Sequence, residues 1–152
     1  MLKTGDAAPQ WSATNQNGQP VALSDFAGKK VVLYFYPKDD TPGCTAEACN
    51  LRDNFAALQE KGVVVLGVNT DGEKSHKKFE EKYKLPFTLV ADNEKAIVNA
   101  YGLWGEKKFM GKAYMGTTRA TFLIDEAGNI AHIISKVDTK NHTAQIMETW
   151  GL

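Results

Sequence analysis

Cys44 and Cys49 are the two cysteines of a 152-residue chain, and both fall in Tyr36-Pro37-Lys38-Asp39-Asp40-Thr41-Pro42-Gly43-Cys44-Thr45-Ala46-Glu47-Ala48-Cys49, which leaves an apolar run and enters a helical pattern. Thr41 is a good N-cap type and Pro42 a favoured first helical residue. That phasing puts Cys44 in the first turn, where unpaired backbone N–H groups and the positive end of the helix dipole favour thiolate over thiol. The alternative is an inert thiol packed under a helix start, the weaker reading given the cap and the proline in front of it. Cys49 follows as Cys-x4-Cys, not as the Cys-x-x-Cys of a dithiol reductant. On an ideal helix, α-carbons five residues apart are about 8.6 Å apart, whereas a disulfide tolerates less than ~7 Å. The pair cannot bridge unless the first helical turn unwinds. A zinc site lacks a second cysteine pair, and His76, His132 and His142 are scattered without ligand spacing. No metal and no cofactor are expected.

The 18 lysines and arginines divide into sixteen lysines and only Arg52 and Arg119. In such a chain, an arginine opening a strand points to a need for the planar guanidinium fork, which keeps its charge and contacts two groups at once. Arg52, within the helical pattern, is either a second orienting partner or, the preferred reading, a surface residue. The 18 acidic residues balance the positive ones, so no broad basic field exists to hold nucleic acid. With 43% hydrophobic and 24% charged residues, residues 1–152 suffice for one domain with a core that needs no disulfide staple. The first residues lack the apolar segment of a secretory signal. The longest apolar runs, Val31 to Tyr36 and Val63 to Val68, are far short of the ~20 residues of a membrane-spanning helix. A cytoplasmic protein without membrane attachment is expected, and in that reducing compartment a lone cysteine pair is a poor structural brace.

The elements that must position these residues alternate. Lys30 to Tyr36 is a continuous β-branched and aromatic run, suited to a strand covered on both faces and ended by Pro37. Leu51, Phe55 and Leu58 recur at helical spacing between Thr45 and Lys61, and Gly62 stops the pattern. Val63 to Asn69 is a second buried strand, completing a parallel right-handed crossover unit. A surface helix is predicted over Glu73 to Lys84, with Asp71 as N-cap and Phe79 and Tyr83 inward. A strand over Phe87 to Ala91, a helix over Asn93 to Tyr101 and a long loop over Leu103 to Thr118 follow. Ala120 to Asp125 and Ile130 to Val137 read as a hairpin, with Asn141 capping a last helix that ends near Trp150. Asn17-Gly18 suggests an N-terminal hairpin. The sum is an α/β, thioredoxin-like fold, a central mixed β-sheet flanked by helices with an additional N-terminal β-hairpin.

The chain resembles the peroxiredoxins, specifically the bacterioferritin comigratory protein or peroxiredoxin Q branch. The residues that carry the resemblance are Pro37, Thr41 and Cys44 of the Pro-x3-Thr-x2-Cys signature, the Gly43 to Cys49 run, Ser75-His76-Lys77-Lys78-Phe79, Leu85-Pro86-Phe87, Tyr114-Met115-Gly116 and Arg119-x-Thr121-Phe122. It departs at Asn69-Thr70-Asp71 and at the threonine pair before Arg119. The resemblance implies a thiol-dependent peroxidase acting on hydrogen peroxide and alkyl hydroperoxides. It makes Cys44 the nucleophile that becomes a sulfenic acid, and Thr41, Gly43, Cys44 and Arg119 the groups that hold the peroxide. Pro37 would shield the thiolate and Glu47 would hold Arg119. Cys49 would resolve the sulfenic acid in an intramolecular disulfide that thioredoxin or a similar dithiol reduces. His76 matches the motif without an evident chemical task and reads as a helix-start or surface residue. Trp104 and the loop to Thr118 are placed at the peroxide entrance. A monomer, or at most a weak dimer, is expected. The competing class is a thioredoxin-like redox sensor or binding module without turnover.

Overall fold

In the computed structural model, which describes Met1–Leu152, the chain opens with the expected hairpin. Strands β1 (Ser12–Asn15) and β2 (Pro20–Ala22) pair antiparallel. The turn is held by Asn15 Oδ1, which accepts the N–H groups of Asn17 and Gln19 at 2.9 and 3.1 Å, and by Gly18 at a φ of 71°, a conformation glycine adopts without penalty. There follow β3 (Lys30–Phe35), α1 (Pro42–Asp53), α2 (Phe55–Glu60), β4 (Val63–Asn69), α3 (Glu73–Tyr83), β5 (Thr88–Ala91) and α4 (Ala96–Ala100). The chain closes with β6 (Trp104–Phe109), β7 (Lys112–Thr117), β8 (Ala120–Ile124), β9 (Ile130–Ile134) and α5 (His142–Trp150).

Seven strands form one sheet in the order β2-β1-β5-β4-β3-β8-β9. The pairs β3/β4 and β4/β5 are parallel, and β8 and β9 continue antiparallel on the other side of β3. This is the thioredoxin-like mixed sheet, with β3 in its interior between β4 and β8. Strand alternation sends Val31, Leu33 and Phe35 into one core with Trp11, Ile97 and Phe122, and Val32, Tyr34 and Tyr36 into the other with Cys44, Leu51, Phe79 and Ile146. The site therefore lies where the buried end of β3 meets α1, on the second core. Gly67 of β4 is required there, because a Cβ at that position would lie 2.9 Å from the Tyr34 ring.

Several boundaries differ from the sequence expectations. The single helix expected over 45–61 starts at Pro42 and is interrupted at Asn54, whose φ/ψ of −113°/12° leave the helical region and whose side-chain amide donates to the Asn50 carbonyl at 2.8 Å. Gly72, not Asp71, is the N-cap residue of α3; Asp71 Oδ2 instead accepts the Asp39 N–H at 2.9 Å. The expected helix over 93–101 is reduced to α4, whose first N–H groups, at Ile97 and Val98, are taken by the Asp92 carboxylate. β9 ends at Ile134 rather than Val137. Asn141 precedes α5 but makes no side-chain cap; Asn50 of α1 does so from across the fold, its Oδ1 accepting the Thr143 N–H at 2.8 Å. The expected loop over 103–118 is mostly the β6/β7 ribbon, separate from the main sheet. Its strands have few buried side chains, so no apolar alternation marked them. No helix is long and apolar enough to cross a membrane.

Candidate active site

Strand β3 delivers the chain to Pro37, and the segment Pro37 to Thr41 turns it into α1. Thr41 is the N-cap residue, extended at φ/ψ of −105°/157°, and Pro42 opens the helix. Its hydroxyl, however, donates to the Lys38 carbonyl at 2.9 Å rather than capping the helix. Its lone pairs are thus what it offers to the site. The backbone N–H groups of Gly43 and Cys44 have no acceptor within the protein, as the first turn of a helix requires. Cys44 is 1% exposed and Cys49 partly buried, both are thiols, and both lie in intact α1.

Arg119 enters from the far side of β3, at the start of β8. Alternation along this segment directs Ala120 and Phe122 into the first core, so Arg119 and Thr121 point together toward α1 and α5. The guanidinium uses both prongs: Nη2 donates to Cys44 Sγ at 3.2 Å and Nη1 to Glu47 Oε1 at 2.6 Å. A lysine ammonium, a single point donor, would not span these partners in the same way. Gly43 leaves the room the guanidinium needs, since a Cβ there would approach Nη2 to 3.3 Å. Burial works against the charge of Arg119, but the neighbouring Glu47 and Cys44 hold its proton more tightly than usual. Glu47 is completely buried; that burial pushes its carboxyl up to about 7 despite the opposing pull of Arg119.

A cleft of about 440 Å³ opens over Cys44, lined by Pro37, Thr41 and Arg119 on one side and by Trp104, Lys107, Tyr114, Met115 and Thr117 of the β6/β7 ribbon on the other. The geometry brings together Pro37, Thr41, Gly43, Cys44, Glu47 and Arg119. Cys49 lies farther along α1, outside that cleft lining. Arg52 is bonded elsewhere, to the Tyr83 carbonyl at 2.7 Å and to Asp53.

His76 corrects the sequence reading. It stands in the first turn of α3, as a helix-start residue would, but it is fully buried rather than on the surface. Its Nδ1 lies 2.7 Å from Asp39 Oδ2 and its Nε2 3.0 Å from the Val90 carbonyl, so both ring nitrogens face acceptors, the arrangement of an imidazolium. Asp39 also accepts from Ser75 at 2.7 Å, Tyr36 at 2.6 Å and Asn69 at 3.3 Å. Burial alone would raise the Asp39 carboxyl, but the His76 bond and charge, with Tyr36 and Ser75, hold it below the usual carboxylate range. This knot pins the Pro37 to Thr41 segment to α3, the face opposite Arg119. The Ser75-His76 motif was its one visible trace. His142, whose Nε2 lies 3.4 Å from Glu47 Oε2, gave no signal beyond a scattered histidine.

Comparison with known proteins places the chain in a family. Residues 4–133 match the AhpC/TSA family model. The chain is 49% identical over 141 residues to peroxiredoxin Bcp of Escherichia coli strain K12, covering 93% of this chain and 90% of that protein. It is 45% identical over 148 residues to peroxiredoxin Bcp of Bacillus subtilis, covering 97% and 94%. Among solved structures, a mutant of peroxiredoxin Q of Xanthomonas campestris superposes with a TM-score of 0.86 at 33% identity over 93% of this chain and 90% of that one. A peroxiredoxin Q mutant of Xylella fastidiosa reaches a TM-score of 0.92 at 28% identity over 99% and 96%. With the Cys44, Arg119 and Glu47 arrangement in place, the chain belongs to the AhpC/TSA family, within its bacterioferritin comigratory protein or peroxiredoxin Q branch, and is a peroxiredoxin.

Proposed function

We propose that Cys44 is the peroxide-attacking thiol of this thiol peroxidase and that Cys49 resolves its oxidised form. The observation that carries the reading is the Arg119 fork, one prong on Cys44 Sγ and the other on buried Glu47. Arg119 fixes a positive charge beside the sulfur, and Nη2 also reaches the space a peroxide oxygen would occupy. The free N–H groups of Gly43 and Cys44 supply further donors for the oxygen on which charge develops. Thr41, its own proton committed to Lys38, accepts a hydrogen bond from the hydroperoxide O–H. The peroxide is thereby oriented with one oxygen toward Sγ. A sulfur lone pair forms the S–O bond as the O–O bond breaks, leaving Cys44 as a sulfenic acid and an alkoxide or hydroxide that takes a proton. Pro37, in the cleft wall beside Cys44, limits access of water.

The second step demands movement. Unwinding the first turn of α1 brings Cys49 to the Cys44 sulfenic acid; its thiolate displaces hydroxide and a Cys44–Cys49 disulfide forms. A dithiol protein of the thioredoxin kind then returns both thiols. The relative from Xanthomonas campestris has alkyl peroxide reduction activity, and the apolar side chains of Trp104, Tyr114 and Met115 along the cleft support organic hydroperoxides beside hydrogen peroxide as substrates here. The cytoplasm suits the cycle, because its reducing poise restores the thiols. Coupled turnover with thioredoxin, its reductase and NADPH, on wild type, Cys44→Ser and Cys49→Ser, tests the assignment. Turnover in wild type with none in Cys44→Ser supports it. Slow oxidation without turnover would instead describe a redox sensor, a reading that family membership does not favour.

A further inference from the structure

Behind Arg119 lies a buried pair with no place in the steps above. Glu47 Oε1 takes Arg119, but Oε2, equally buried, receives no hydrogen bond. What faces it is His142 Nε2 at 3.4 Å, on a ring that is itself completely buried at the first residue of α5. The tautomer of that ring is set by its neighbours. Gln145 Oε1 accepts the Asp138 N–H at 2.9 Å while Gln145 Nε2 donates to the Lys136 carbonyl at 2.8 Å, so the Gln145 amide has one orientation. His142 Nδ1, 2.9 Å from that oxygen, must carry hydrogen. Nε2 of the neutral ring then holds the lone pair and accepts the Thr121 hydroxyl at 2.8 Å. If Glu47 is ionised, a lone pair of Oε2 confronts the lone pair of Nε2 in a buried site, an arrangement that costs free energy. One proton between them removes the conflict.

We propose that Glu47 and His142 form a buried proton store coupled to Cys44: Glu47 carries a proton on Oε2, beside the lone pair of His142 Nε2, when Cys44 is a thiolate, and releases it when oxidation removes the charge from the sulfur. This rests on the reading of Cys44 as the attacking thiol. The electrostatic logic is local. Arg119 sits between two groups that can each be an anion. With Cys44 as a thiol, ionised Glu47 balances the guanidinium; with Cys44 as a thiolate, a second buried anion has no counterpart, and protonating Glu47 restores neutrality. Burial favours the same outcome, raising Glu47 to about 7 and lowering His142 to about 4. The other titratable groups around the pair are Cys44 on α1, Arg119 before β8, Tyr34 on β3 and Asp138 before α5. Of these, only Arg119 is a cation, and it is already engaged by Oε1.

The step balances. Thiolate, hydroperoxide and protonated Glu47 give sulfenic acid, alcohol and the Glu47 carboxylate. Two electrons pass from sulfur to the O–O bond, and the proton that the departing oxygen takes up is matched by the one that Glu47 gives up. His142 is thus a positioning residue, acting through Glu47 and Arg119.

Infrared difference spectroscopy of the full-length protein, reduced against peroxide-oxidised at neutral pH, reads the proton directly. The reduced form should show a protonated-carboxyl C=O stretch that is lost on oxidation, is absent in Glu47→Gln and is shifted in His142→Gln. In Cys44→Ser the band should be weaker than in wild type. The pH profile of the rate of Cys44 oxidation should move in His142→Gln, a change that a purely structural defect would not produce, and correct folding of the variant is verified by its circular dichroism. Absence of the carboxyl band in reduced wild type, its survival in Glu47→Gln, or an unshifted band in His142→Gln would each overturn the proposal. Failure of peroxide turnover itself would sink the assignment of Cys44 instead, and it is read in a separate assay.

Discussion

Replacing Arg119 by lysine keeps the positive charge and removes the fork. The guanidinium now reaches Glu47 through Nη1 at 2.6 Å and Cys44 Sγ through Nη2 at 3.2 Å. An ammonium on a four-carbon stem satisfies one of these partners at a time, so it cannot stay anchored on Glu47 and also contact the sulfur and the peroxide. The loss is therefore one charge-assisted hydrogen bond to the reacting sulfur and peroxide oxygen, worth about 1.5–3 kcal/mol. At about 1.4 kcal/mol per factor of ten, Cys44 oxidation should slow roughly 10- to 150-fold. Stopped-flow fluorescence suits the measurement, since Trp104 lines the Cys44 cleft. Rates taken at several pH values up to their plateau separate transition-state effects from thiol ionisation. A plateau rate for Arg119→Lys within about twofold of wild type would mean that the charge alone matters and that the geometric argument for arginine is wrong.

Cys49→Ser should keep the first, stoichiometric oxidation of Cys44 but accumulate a dimedone-reactive sulfenic acid and lose thioredoxin-supported turnover; full multiple turnover would remove Cys49 from the cycle. His76→Ala leaves Asp39 buried without its cationic partner, so a loss of about 3 kcal/mol is expected, a fall in melting temperature of roughly 6–12 °C for a domain of this size, and an unchanged melting curve would contradict the knot. The Glu47 and His142 variants should change the pH dependence of stability in opposite directions. His142, lowered from 6.5 to about 4, contributes stability that is present above 6.5 and lost as pH falls through 4. Glu47, raised from 4.5 to about 7, contributes stability that is present below 4.5 and lost as pH rises through 7. In wild type the two slopes nearly cancel between 4.5 and 6.5. Relative to wild type, Glu47→Gln should therefore lose about 3 kcal/mol on acidification from pH 7 to 4, and His142→Gln a similar amount on going from pH 4.5 to 7. Urea titrations across that range check both, and parallel profiles for all three proteins would refute the assigned protonation states.

What could be read from the sequence follows from how each feature announces itself. The buried strands Lys30–Phe35 and Val63–Asn69 are continuous apolar runs, and the helix start at Cys44 is written in consecutive residues, Thr41, Pro42 and Gly43; all are local signals. Arg119 stood out because it is one of two arginines in a lysine-rich chain. The β6/β7 ribbon was missed for lack of an apolar face: Phe109, Met110, Tyr114 and Met115 are exposed, and its glycines and lysines read as loop. His76 and His142 were missed for another reason. Their significance lies in partners 37 and 95 positions away, Asp39 and Glu47, and nothing in their neighbourhood in the chain distinguishes a buried, doubly bonded imidazole from a solvated one. The break at Asn54 is local, with its side-chain amide on the Asn50 carbonyl four residues back, but Ala56, Ala57 and Leu58 continue a good helical pattern that hides it.

The central claim is that Cys44 meets the peroxide and that Cys49 follows it into a disulfide. It is tested most directly by mixing reduced protein with equimolar hydrogen peroxide and following thiol content and intact mass on wild type and Cys44→Ser. Wild type should lose both thiols rapidly, with a mass decrease of two hydrogens, and Cys44→Ser should keep its remaining thiol over the same interval. Persistence of both thiols in wild type, or equally fast oxidation of Cys49 in Cys44→Ser, would contradict the account.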